Sequence, residues 1–72
     1  MEYTVLIHPA VEGSYCTEVQ ALPGCFSQGE TIDAALRNTK DAVECHLAAL
    51  REEGQHVGSE DGILIGRVSV AA

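Results

Sequence analysis

Tryptophan is absent, phenylalanine occurs once, and only four of the 72 residues are basic. So few Lys and Arg cannot follow a phosphate backbone, and with eleven acidic residues the net charge is −7. Direct nucleic-acid binding by this chain alone is therefore not expected. A basic partner suits such a surface, including a protein that itself binds nucleic acid. Cysteine is scarce too: Cys16, Cys25 and Cys45 are odd in number, widely spaced and form no CxxC pair. That disfavours a disulfide framework and the clustered ligands of a zinc site, and it fits reduced thiols in a cytoplasmic protein. Cys45 and His46 are adjacent, but helix neighbours point about 100° apart and cannot share a metal well. No signal peptide precedes the first strand, and no apolar run is long enough for a membrane span.

What is present is one small domain, residues 1–72, whose core must be marginal at this size. With disulfides and metals disfavoured, oligomerisation is the remaining source of added stability. Residues 3–7 alternate, with Tyr3, Val5 and Ile7 on one face and Leu6 and His8 on the other. Pro9 lacks an N–H and is expected to end that strand. A turn at Glu12-Gly13-Ser14 leads to a second strand over residues 15–22, in which Tyr15, Thr17, Val19 and Ala21 form the apolar face. Pro23-Gly24 suits the centre of a type II turn, because Pro presets φ and Gly accepts positive φ. A third strand covers residues 25–28, and Thr31 caps a helix of about 23 residues. Ile32, Ala35, Leu36, Thr39, Val43, His46, Leu47 and Leu50 make its buried stripe, and Gly54 its C-terminal stop. After a polar, glycine-rich loop, residues 63–70 form the last strand.

The expected fold is α+β: three strands, a helix and a fourth strand. A right-handed crossover places them as a four-stranded mixed sheet of order 3-2-1-4 with one helix on one face. One helix covers one face only. Leu6, Ile63 and Ile65 are expected on the other, as an oligomer interface.

Groups that could carry catalysis have plainer roles. His8 follows a strand and reads as structural or solvated, His46 falls on the apolar stripe, and His56 lies in the polar loop. Glu52-Glu53 and Glu60-Asp61 are consecutive surface charges without metal-pair spacing, and the glycines fit no nucleotide loop. A distant Cys/His pair is kept only as a minor alternative. The expectation is no enzyme, no metal and no cofactor.

The run Leu22-Pro23-Gly24-Cys25, then Gln28-Gly29-Glu30-Thr31, leads into a helix through Asp33-Ala34-Ala35-Leu36-Arg37-Asn38 that finishes with Leu47-Ala48-Ala49-Leu50-Arg51-Glu52-Glu53-Gly54. Together with the strand Tyr3-Thr4-Val5-Leu6-Ile7, it resembles the HicB antitoxin family of toxin–antitoxin systems over about residues 3–70. The resemblance implies a partial RNase H-like fold without the nuclease's metal-binding carboxylates. It also implies an antitoxin that binds and neutralises HicA, a small basic toxin that cleaves messenger RNA, by covering its active face. Dimers or higher homo-oligomers are common in the family. Many members carry a further DNA-binding module. This sequence ends at Ala72, soon after the expected fourth strand, without the basic residues for one. Exposure on the helix suggests Asp33, Asp41 and Glu44 as toxin contacts, while Pro23, Gly24 and Thr31 are the structural turn and cap. The alternative is a solitary oligomeric module of the same family that binds another protein or a small ligand and has no cognate toxin.

Overall fold

The computed structural model describes residues 2–57, 60 and 64–71. Three strands precede one helix: β1 (Val5–Pro9), β2 (Tyr15–Val19), β3 (Phe26–Gly29) and α1 (Ile32–Glu52). They form an antiparallel sheet of order β1-β2-β3, with Val5 opposite Val19 and Glu18 opposite Phe26.

Ala10 N–H donates to the Ser14 carbonyl just beyond the β1–β2 register. Hydrogen-bonded pairs alternate in an antiparallel ladder, so Leu6 and His8 bond toward β2. Val5 and Ile7 then turn their N–H and C=O groups to the outer edge. The bond from Val19 N–H to the Cys25 carbonyl on the far side of β2 requires the same phase. Pro9 falls at an outward position, where its missing N–H costs the ladder nothing.

The β1–β2 connection holds Glu12 at φ 71° beside Gly13 at φ 81°. A left-handed conformation costs a non-glycine L-residue about 1–2 kcal/mol. Replacing Glu12 by Gly is therefore expected to stabilise the chain by about 0.5–1 kcal/mol in urea titrations, net of glycine's greater entropy loss. Glu12→Gln, which removes only the charge, should change little. Equal gains from both would assign the effect to charge rather than backbone.

The second strand ends at Val19, three residues before the expected Leu22. A turn closed by Leu22 N–H on the Val19 carbonyl intervenes and swings Leu22 into the core, where it is 1% exposed. Next comes the expected type II turn, with Cys25 N–H on the Leu22 carbonyl and Gly24 at φ 84°. Thr31 caps α1 as expected, its Oγ1 accepting from Ala34 N–H at 3.0 Å. At the other end Gly54 takes φ 69°, with Gly54 N–H on the Arg51 carbonyl and Gln55 N–H on that of Leu50. Those two bonds make a Schellman stop.

The helix lies over β3 and β2 rather than β1. Its contact with β3 is close because Gly29 has no side chain: a Cβ there would sit 2.4 Å from Ala35 N. Val19, Leu22 and Cys25 form the core, with Tyr3, Val5, Ala42, Val43 and Leu47 packed around them. Thr17 and Thr39 are buried as well. Their hydroxyls lie 2.5 Å apart, Thr39 Oγ1 donates to the Ala35 carbonyl, and Ser27 N–H donates to Thr17 Oγ1.

The expected stripe on the helix is only partly buried. Ala35 and Thr39 are enclosed; Val43, His46, Leu47 and Leu50 are half-buried, and Ile32 and Leu36 are exposed. Three strands are too few to cover it. The fourth strand is not shown: residues 64–71 belong to no strand, and Ile63 lies outside the described residues. The described sheet is consequently antiparallel rather than mixed.

Candidate functional site

Opposite the helix, the sheet has a face left bare by the described residues. Strand alternation places Leu6 and His8 of β1, Cys16 and Glu18 of β2, and Phe26 and Gln28 of β3 on it. His8, Cys16, Glu18, Phe26 and Gln28 line an open groove of 660 Å³, reached also by Thr17 and Ser27. Phe26, the only phenylalanine of the chain, is 65% exposed. An aromatic ring held in solvent on a rigid strand is a ready anchor for another protein. Sequence reasoning missed it, although the signal was present. Alternation separates Phe26 from Ser27, and the pairing of Ser27 with the buried Thr17 decides that Phe26 is the one on the far side.

The expected site residues fall on different surfaces. Asp33, Asp41 and Glu44 are exposed on the outer side of α1, where Arg37 and Lys40 are interleaved with them and reduce the local negative field. Leu6 is on the bare sheet face as expected. Ile65 is exposed in a segment that pairs with no strand, so the two are not joined in one described sheet. Pro23, Gly24 and Thr31 occupy the turn and cap positions assigned to them. His8 and His56 are exposed and His46 is half-buried.

Among the described residues no group of His, Cys, Asp and Glu could hold a metal ion. No described helix is long and apolar enough to cross a membrane. The three thiols differ in environment: Cys25 is buried, Cys16 intermediate and Cys45 exposed. Burial pushes the Cys25 thiol above its ordinary 9.0. At lower pH both folded and unfolded forms keep that proton, so the shift contributes nothing. As pH rises past 9.0 the unfolded chain loses it first, and stability should fall. Alkylation should modify Cys45 first, Cys16 next and Cys25 last. Early modification of Cys25 would show that the core opens readily.

A capped helix on a small antiparallel sheet, with an exposed aromatic groove on the side away from the helix, defines a small α+β domain. Residues 3–65 match the family model described as the HicB-like antitoxin of bacterial toxin–antitoxin systems. A UPF0150 protein of Thermoplasma acidophilum is 40% identical over 57 residues, covering 79% of this chain and 83% of the relative. One from Synechocystis is 39% identical over 62 residues, covering 86% of this chain and 78% of its own. The N-terminal domain of Burkholderia pseudomallei antitoxin HicB superposes with a TM-score of 0.73 at 38% identity, covering 79% of this chain and 67% of that one. A structure of the same antitoxin gives 0.71, and there the match spans 43% of the antitoxin's chain. The chain belongs to the HicB-like antitoxin family. Antitoxins are generally not enzymes, and no catalytic function is indicated.

Proposed function

We propose that this protein is a cytoplasmic antitoxin that binds a small, basic, RNA-cleaving toxin of the HicA type and neutralises it by covering its active face. The observation that carries the reading is family membership joined to a surface that suits such a partner: net charge −7 with Phe26 exposed beside Leu6, His8 and Glu18. Opposite charge accelerates encounter, and a desolvated aromatic anchor slows dissociation. The two contributions are separable. The carboxylates of Asp33, Asp41 and Glu44 steer the toxin, while the bare sheet face holds it. Self-association belongs to the same reading, because one helix leaves much apolar surface uncovered.

The test mixes the purified chain with the small basic protein encoded beside it and follows association and dissociation at several salt concentrations. Phe26→Asp should raise the dissociation rate at least about 30-fold, as expected of a hot-spot ring. Reversing Asp33, Asp41 and Glu44 should slow association and flatten its salt dependence. An unchanged dissociation rate in Phe26→Asp removes the sheet face from the site. No binding to any neighbouring gene product would leave the solitary-module reading in its place.

A further inference from the structure

Two unpartnered features of this molecule match each other. The first is the outer edge of β1, where Val5 and Ile7 present backbone N–H and C=O groups and no strand lies alongside among the described residues. Beside that edge the helix leaves Ile7 exposed and Val43, Leu47 and Leu50 half-buried. The second is the segment 64–70. Its residues alternate, with Leu64, Gly66, Val68 and Val70 on one side and Ile65, Arg67 and Ser69 on the other. That is the pattern of a strand with one apolar face. Yet Leu64 and Val68 are 93% and 91% exposed.

The root of this segment is held. The Glu60 carboxylate accepts from both the N–H and the hydroxyl of Thr4, immediately before β1. Residues 64–70 stand in solvent instead of lying along their own β1. The radius of gyration records the extension: 14.1 Å, against about 11 Å for a compact chain of this length.

We propose that residues 64–70 form the fourth strand of a second copy's sheet, pairing with its β1 edge, while that copy's arm does the same in return. The exchange deepens the self-association put forward above and rests on it. Each arm brings a row of apolar side chains to Ile7 and the half-buried flank of the helix, and each β1 edge receives the backbone partner it lacks. The contact is isologous, so it closes at two copies and does not propagate. It leaves the groove around Phe26 open on both copies, and a toxin and a second copy occupy different surfaces.

The experiment uses the full chain under reducing conditions, because exposed Cys45 could otherwise cross-link copies. Sedimentation equilibrium is run on the native protein, Val68→Lys and Leu64→Lys/Val68→Lys, with amide exchange followed at Val5 and Ile7. The native chain should dimerise. Its Val5 and Ile7 amides should exchange roughly tenfold or more slowly at high than at low protein concentration. The lysine variants should be monomers with rapid exchange and unchanged helical circular dichroism, since both positions lie outside the folded body.

A dimer that survives Leu64→Lys/Val68→Lys overturns the exchange alone and leaves self-association through another face. A native chain that is monomeric throughout overturns both, and protected Val5 and Ile7 amides in that monomer would identify its own arm as the occupant. The concentration dependence of exchange in the native chain decides the question even where a variant folds poorly.

Discussion

Gly29→Ala is expected to cost about 3 kcal/mol, the upper end of what overpacking usually does. The added Cβ would lie 2.4 Å from Ala35 N, 2.7 Å from Ala35 Cα and 2.8 Å from the Ala34 carbonyl carbon. All three are backbone atoms of the first turn of α1, so no side-chain rotation relieves the clash. The helix must lift from β3, and the buried Ala35 beside it loses its packing. A domain of this length commands roughly 4–11 kcal/mol in total. The melting temperature should therefore fall by roughly 12–24 °C, and Gly29→Val should leave the chain unfolded. The effect is steric, not conformational, because Gly29 is not among the glycines at positive φ. Gly24→Ala provides the contrast: φ is 84° there, but the space is empty. Its cost should be only the backbone strain of about 1–2 kcal/mol. Equal losses at the two positions would contradict this account.

The second large effect concerns the threonine pair that ties sheet to helix. Thr39 Oγ1 donates to the Ala35 carbonyl at 2.7 Å, so the proton between the two hydroxyls must come from Thr17. Thr17 Oγ1 in turn accepts from Ser27 N–H at 3.1 Å. The chain of donors runs from β3 through β2 into α1, and no buried side-chain polar atom is left unpartnered among the described residues. Thr17→Val keeps the shape but removes the donor to Thr39 and the side-chain acceptor of Ser27 N–H, which retains its ladder bond to the Thr17 carbonyl, and should cost about 1–2 kcal/mol. Thr39→Val removes only the acceptor of the Thr17 hydroxyl and should cost about 1–2 kcal/mol. In a double-mutant cycle by chemical denaturation the combined loss should fall short of the sum by about 1 kcal/mol or more. Strict additivity would show that the hydroxyls do not act as one unit.

What was legible in the sequence was local. Thr31, the spacing of Ala35, Thr39 and Val43, and Gly54 specify a helix whose two caps are read from neighbouring residues alone. Pro23-Gly24 specifies its turn in the same way. The second strand stops early because the bond between Leu22 N–H and the Val19 carbonyl lies inside a stretch that alternates like a strand. Alternation cannot show where a ladder yields to a turn. The roles of Gly29 and of the Thr17–Thr39 pair depend on how closely helix and sheet approach, which no single segment encodes. The fourth strand was inferred from a β-like pattern, but a strand exists only with a partner, and none pairs with residues 64–70 among the described residues. The carboxylates Asp33, Asp41 and Glu44 were chosen for exposure; Phe26 required knowing which way β3 faces.

Among the described residues, only Val19, Leu22, Cys25, Ala35, Thr17 and Thr39 are fully enclosed. Adding Gly29, the type II turn and the two helix stops gives a short roster of positions that define the architecture. Around them Tyr3, Val5, Ala42, Val43 and Leu47 complete the core, while most exposed positions carry no such constraint. Relatives from Thermoplasma acidophilum and Archaeoglobus fulgidus share 40% and 30% of the aligned residues with this chain, so most aligned positions differ. Leu6, His8, Glu18, Phe26 and Gln28 can thus change without touching any enclosed position, so the outer face of the sheet is decoupled from the fold that carries it.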